Sequence, residues 1–171
     1  MVEMIKPFVA VMMGSDSDLD VMQSCLDTLT ALQVHFESHI LSAHRTPDTT
    51  VQYVHEAEQR GCVIYIAAAG LAAHLAGTVA AHTIKPVIGI PLNAGSLGGL
   101  DALLSTVQMP GGTPVACVSI GKAGSKNAAI LAAEILAIHD DALRDRLQAM
   151  RQEKRQGLKS ADEKLQQRRY A

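Results

Sequence analysis

The sequence predicts an α/β fold built on a doubly wound, parallel, five-stranded sheet with a helical extension at its C-terminus. Three features carry that prediction. Five short β-like runs recur before residue 120, bounded by Gly, Pro or polar turn residues. Apolar residues at helical spacing fill the intervals between them. A polar pattern of helical character follows the last run. Strands that alternate with helices pack as a parallel sheet covered on both faces, with right-handed crossovers.

Taken in order, Phe8 to Met13 is apolar throughout and ends at Gly14, as a strand buried on both faces does. Leu19, Met22, Leu26, Leu29 and Leu32 then follow helical spacing. Val34 to Leu41 is β-like. Thr46-Pro47-Asp48 opens a helix that runs through Arg60, with proline in the first turn, where its missing N–H costs nothing. Cys62 to Ala67 is a third strand, and Gly70 separates it from an Ala-rich helix expected over 72–83. Pro86 to Pro91 is a fourth strand, Leu100 to Val107 a short helix, and Pro114 to Ser119 a fifth strand. Ser125 to His139 is a helix apolar nearly all round, which predicts cover on both sides. Asp140 is placed to cap a last helix, with Leu143, Leu147 and Met150 on one stripe. The expected organisation is a catalytic α/β domain over 1–150 and a polar helical tail over 151–171.

Composition narrows the function. The chain has 171 residues, 48% hydrophobic and 19% charged, so it can bury a core without disulfides or metals. Its net charge is −2 and it has two Phe, three Tyr and no Trp. Nucleic-acid binding needs a basic footprint or stacking platforms, and this chain offers neither. Cys25, Cys62 and Cys117 are odd in number and scattered, which suits small buried hydrophobes in a reducing compartment. The first residues, Met1 to Pro7, lack the basic start and apolar run of a signal peptide.

Charge is unevenly spread. Residues 151–171 carry seven basic and three acidic side chains, while from Gly61 to Gly121 the only charged residues are Lys85 and Asp101. Residues 61–84 are uncharged and long enough to span a bilayer. However, Gly61, Gly70, Gly77, His74, Thr78 and His82 interrupt the run, and Gly70 divides it into a strand and a helix. No membrane partner is expected. A stretch so poor in charge is expected instead to be buried against further copies of the chain.

In a doubly wound sheet, ligands bind beyond the carboxyl ends of the strands. Gly14-Ser15-Asp16-Ser17-Asp18 follows the first strand and opens a helix. Its hydroxyls and amides suit an anion, phosphate above all. Asp18 is placed either to take a ribose hydroxyl or simply to cap the helix. Ser42-Ala43-His44-Arg45-Thr46-Pro47 follows the second strand. It sets a titratable imidazole beside the only Lys or Arg between Lys6 and Arg60. Arginine can fork onto a phosphate, although an ordinary surface loop would also hold these residues. Ala67 to Gly77 follows the third strand. Its small residues allow close approach by a ligand or by another helix, and His74 is either a pocket residue or a satisfied core histidine. Gln108 to Gly112 is a turn with a possible amide contact to a ring. Gly121 to Ser125 is not a phosphate-binding P-loop, because Ala116 stands where the first glycine belongs and Ala123 lacks the metal-binding hydroxyl. His35, His39, His55, His82 and His139 have no metal-ligand spacing and receive no role.

Five pieces, in this order, resemble the class I PurE family, the N5-carboxyaminoimidazole ribonucleotide mutases of purine (IMP) biosynthesis. They are Met13-Gly-Ser-Asp-Ser-Asp18, Ser42-Ala-His-Arg-Thr-Pro47, Ala72-Ala-His-Leu75, Leu104-Ser-Thr-Val-Gln-Met-Pro110 and Ile120-Gly-Lys-Ala-Gly124. The resemblance covers about residues 7–150. It implies a flavodoxin-like three-layer sandwich, a cytoplasmic homo-octamer, and a small-molecule ribonucleotide substrate whose carboxyl group moves from the exocyclic nitrogen to C4 of the imidazole. It implies no ATP, metal or organic cofactor. His44 becomes the acid/base shuttle. Ser15, Ser17 and Asp18 bind substrate near phosphate and ribose, and Arg45 grips the phosphate. Ser42 and Ala43 line the site, with Gly70, Ala72 and His74 across from them. The chemistry is consistent with such residues, since neutral CO2 is held best in a small, dry compartment with little charge.

The chain departs from the family pattern at four places. Leu71 and Ala76 replace the usual glycine and proline, which is expected to add bulk near the pocket and to remove a rigid kink. Leu19 replaces a common tryptophan, and Asn93 to Ser96 differs from the usual loop. None of these removes a charged or proton-transferring group. The nearest alternative is the class II sister activity, direct carboxylation of aminoimidazole ribonucleotide with CO2, against which Arg45 and Pro47 argue. A phosphoacceptor module would need aspartate at the end of the third strand, where Ala67 to Ala69 stand. Flavin binding lacks aromatic residues to stack the ring.

Overall fold

A computed structural model describes residues 6–168. The signal-peptide reading of Met1 to Ile5 and the last three residues of the expected tail lie outside the described residues. The sheet contains β1 (Phe8–Met13), β2 (Phe36–Ile40), β3 (Cys62–Ala69), β4 (Val87–Pro91) and β5 (Ala116–Cys117). The helices are α1 (Leu19–Ala31), α2 (Pro47–Gln59), α3 (Leu75–Ala81), α4 (Leu100–Val107), α5 (Gly121–Leu136) and α6 (Asp141–Gln167). Strand order is β2-β1-β3-β4-β5, and every pair is parallel. This is the expected doubly wound sandwich, and its topological switch point falls between β1 and β3.

Alternation along the strands divides the core into two layers. Phe8, Ala10 and Met12 face one way and cluster with Tyr53, Val54 and Ala57 of α2 and with Leu75, Ala76 and Val79 of α3. On the other side α1 meets α5, where the Cys25 amide donates to the buried Ser125 hydroxyl at 3.1 Å. Burial pushes the Cys25 thiol up to about 12, so it behaves as an inert hydrophobe.

Several boundaries shift for physical reasons. β3 runs on to Ala69, because parallel pairing with β4 continues to Ala69 opposite Pro91. β5 keeps only two of its six expected residues, pairing Ala116 with Ile88 and Cys117 with Gly89. α3 starts at Leu75, not at residue 72, because Leu71 takes a left-handed conformation (φ +55°) that stops a helix from beginning there. Ala76 is therefore the second residue of α3. A proline there would sit in the first turn without bending the helix, so its absence removes no kink. α5 begins four residues earlier than expected, at Gly121. It buries a single stripe, Gly124, Ser125, Ala128, Ala129, Ala132 and Ala133, while Lys126 and Asn127 are exposed, so among the described residues the expected cover on both sides is not seen.

α1 ends in a Schellman motif. The Gln33 amide donates to Thr30 O and the Val34 amide to Leu29 O, each at 2.9 Å, with Gln33 at φ +56°.

The chain divides into two compact units at Ala132/Ala133. In the second, Asp140 caps α6 by accepting from the Leu143 amide at 2.9 Å, and Arg151 pairs with Glu134 at 2.5 Å. α6 continues without a break to Gln167.

Candidate active site

The tip of β1 organises the site. The Leu41 amide, just after β2, donates to Met13 O at 2.8 Å, and the Gly14 amide donates to Ala68 O of β3 at 3.2 Å. These bonds hold the loops after β1, β2 and β3 side by side. Between them lies a cleft of about 540 Å³. All ten residues singled out from the sequence line it: Ser15, Ser17, Asp18, Ser42, Ala43, His44, Arg45, Gly70, Ala72 and His74. Gly14, Ala69, Leu71, Leu75 and Ala94 complete the lining. Gln108 to Gly112 and Gly121 to Ser125 contribute none of it. Met109 packs instead on Gly77, where a Cβ would lie 3.4 Å from its sulfur.

The loop after β1 is a single 3-10 turn, Asp16–Asp18, leading into α1. Asp18 accepts from the Ser15 amide at 2.9 Å while Ser15 caps the turn, so the capping reading of these residues holds at the same time as they face the cleft. The Ser17 hydroxyl donates to Ser15 Oγ at 3.0 Å, and Ser15 Oγ donates to Asp16 at 3.0 Å. Burial raises the Asp18 carboxyl above its ordinary value, opposed by amide hydrogen bonds from Ser15 and Gly14. The Ser15 hydroxyl and the Ser17 amide lower the exposed Asp16.

The loop after β2 is tied to the same tip. Arg45 Nη2 donates to Gly14 O at 2.5 Å and Arg45 Nε to Ser42 Oγ at 3.4 Å. The Ser42 amide in turn donates to Thr46 Oγ1 at 3.0 Å. The guanidinium is thus held between the Gly14 carbonyl and the Ser42 hydroxyl.

His44 Nε2 lies 2.6 Å from His74 Nδ1, and the rings cross at 88° with centroids 4.8 Å apart. One hydrogen lies between the two nitrogens, so one ring donates and the other accepts. Thirty residues separate the pair, and nothing in the sequence signals the contact. Ala94 also escaped the sequence reading as a cleft wall. It is brought in by the β4–α4 loop, whereas Leu71 lines the cleft where added bulk was expected. Among the described residues, no group of three or more His, Cys, Asp or Glu is arranged to hold a metal ion.

The cleft therefore combines a polar flank of hydroxyls, amides and one arginine with an apolar flank of small residues, and a paired imidazole on its wall. Residues 8–157 match the family model described as AIR carboxylase. The chain is 47% identical over 161 residues to the N5-carboxyaminoimidazole ribonucleotide mutase of Bacillus subtilis (strain 168), covering 94% of this chain and 99% of that protein. It is 50% identical over 143 residues to the protein of the same name from Brucella melitensis, covering 84% and 88% of the two chains. Among solved structures, Treponema denticola PurE superposes with a TM-score of 0.84 at 30% identity, covering 94% of this chain and 99% of that one.

Proposed function

The chain belongs to the AIR carboxylase family, and we propose that it is an N5-carboxyaminoimidazole ribonucleotide mutase, an isomerase of purine biosynthesis. The single observation that carries this reading is the convergence of His44, Arg45 and the Ser15–Asp18 turn on one cleft. In this reading the substrate's phosphate meets Arg45 and the Ser15 and Ser17 hydroxyls, and a ribose hydroxyl meets Asp18. Ser42 and Ala43 flank the imidazole ring, with Gly70, Ala72 and His74 facing them.

The reaction breaks the bond between the exocyclic nitrogen and the carboxyl carbon. Its electron pair stays with nitrogen, which takes a proton, and CO2 is released inside the cleft. The electron-rich ring then attacks CO2 through C4, and the C4 proton leaves to a base. One imidazole serves as acid in the first step and base in the second, and His44 takes that role. Holding the two fragments together turns a dilute encounter into a nearly unimolecular step, worth part of the ~7–11 kcal/mol available to positioning.

We further propose a cytoplasmic homo-octamer. Leu100, Leu104 and Val107 of α4 are about half exposed, as a helix awaiting a neighbouring copy would be. Among the described residues no helix is long and apolar enough to cross a membrane. The tail over 151–171 is proposed to reach a neighbouring copy.

The test is to supply the purified protein with the carbamate substrate alone, without ATP or added bicarbonate. Formation of the C4-carboxylated ribonucleotide supports the mutase. Product formed only from aminoimidazole ribonucleotide and bicarbonate identifies the direct carboxylase, and no product from either rejects both.

A further inference from the structure

The turn after β1 holds one side chain to which the mutase reading gives no role. Ser15, Ser17 and Asp18 line the cleft, whereas Asp16 stays outside the lining and is exposed. Its carboxylate nevertheless takes the donors that the reading assigns to phosphate. Asp16 Oδ1 accepts the Ser15 hydroxyl at 3.0 Å and the Ser17 amide at 3.0 Å. The Ser17 hydroxyl donates to Ser15 Oγ at 3.0 Å. A chain of hydroxyl protons therefore runs from Ser17 through Ser15 and ends on Asp16.

A hydroxyl has a single proton to donate. With both committed inside the turn, neither serine presents a proton to the cleft. Arg45 also gives Nη2 and Nε to Gly14 O and Ser42 Oγ, which leaves fewer of its donors for an anion. The hydrogen bonds from the Ser15 hydroxyl and the Ser17 amide hold the Asp16 carboxyl below its ordinary value, so it is charged at neutral pH. Its charge and that of Arg45 act on each other, so a phosphate seated at Arg45 lies within the field of a like charge. Asp18 differs, because its carboxylate accepts the Ser15 amide at 2.9 Å and completes the reciprocal cap of the turn without Asp16.

We propose that Asp16 sets the affinity of the cleft for phosphorylated substrate, its carboxylate occupying the Ser15 hydroxyl and the Ser17 amide until a phosphomonoester displaces it. The inference rests on the mutase reading, which seats the phosphate at these serines. On binding, the two hydroxyl protons turn from the chain that ends on Asp16 to phosphate oxygens. The carboxylate is an internal competitor that the substrate must displace.

The experiment measures kcat and KM for the carbamate substrate in the purified chain and its variants, and the Kd of inorganic phosphate by calorimetry. Asp16→Ala frees both donors. Its KM and phosphate Kd are expected to fall about three- to tenfold, the scale of one net hydrogen bond, with kcat close to the parent's. Asp16→Asn keeps an oxygen for the same donors without the charge, and both constants should fall between parent and Asp16→Ala. Asp20→Ala removes another negative charge, from the first turn of α1, and should leave both constants near the parent's. Constants in Asp16→Ala that equal or exceed the parent's overturn the proposal, because they make the carboxylate a support of the turn. An equal fall in Asp20→Ala also overturns it, because the effect is then one of net charge. Both results leave the mutase reading intact as long as the parent converts the substrate. A parent that converts none overturns that reading, and the phosphate constants alone then uphold or overturn the role of Asp16.

Discussion

His44 Nε2 and His74 Nδ1 share one hydrogen across 2.6 Å, joining the loop after β2 to the turn after β3 over the end of β1. The contact makes His74 the group that orients the imidazole at position 44. It also means that the two rings cannot both point an N–H at each other, so one presents a bare nitrogen to the other.

From this pairing, His44→Asn is expected to lower kcat by about 100-fold or more, within the range that general acid–base groups contribute. His74→Asn should cost less, because the shuttle remains but loses the ring that orients it. Steady-state rates across pH check both. Full activity in His44→Asn removes the proton-shuttle role.

Arg45 is expected to act on binding. Its guanidinium is held at the cleft by Gly14 O and Ser42 Oγ. Arg45→Glu should raise KM by roughly 10- to 100-fold, the scale of a lost charge-assisted hydrogen bond, with an unchanged circular dichroism spectrum. An unaltered KM rejects the phosphate contact.

Close approach at glycines sets a stability ranking. A Cβ on Gly124 would lie 1.6 Å from Ser119 O, against 2.7 Å from Ala94 Cβ for Gly70. Gly70→Ala should cost about 1–3 kcal/mol, as overpacking does, and Gly124→Ala more, since backbone must move. Urea denaturation midpoints test the order.

Gln33→Gly is expected to stabilise the chain. Gln33 occupies the left-handed position of a Schellman motif and is exposed, so glycine removes about 1 kcal/mol of strain. A thermal midpoint raised by ~2–4 °C is the expected reading.

Acid stability depends on Glu37. Arg60 donates to its two oxygens at 2.7 and 2.5 Å and the Tyr53 hydroxyl donates at 2.7 Å. The Arg60 hydrogen bonds are the main cause that holds this carboxyl below its ordinary value of 4.5. A carboxyl lowered on folding adds stability that is fully present above about pH 4.5 and is lost as pH falls through the lower folded value. Glu37→Gln should therefore cost about 1 kcal/mol at neutral pH, given the half-exposed arginine, and flatten the acid limb of the stability curve. Chemical denaturation between pH 3 and 7 measures it.

Local sequence determined the repeating units. An apolar run closed by Gly14 gave β1 its bounds from Phe8 to Met13, and helical spacing gave α4 its bounds from Leu100 to Val107. The loops after the first three strands were legible as site segments because a parallel sheet places all strand ends on one edge. What only tertiary structure decided depends on strand order and on close approach between distant segments. The His44–His74 contact needs β1 between β2 and β3, which no single segment encodes. The start of α3 was misread because Ala72 and Ala73 are good helix formers by propensity, yet Leu71 just before them takes a left-handed turn and the helix begins only at Leu75. β5 and α5 shifted for the same reason: pairing with β4 at residues 88 and 89, and one-sided burial against α1, override the apolar pattern of the chain.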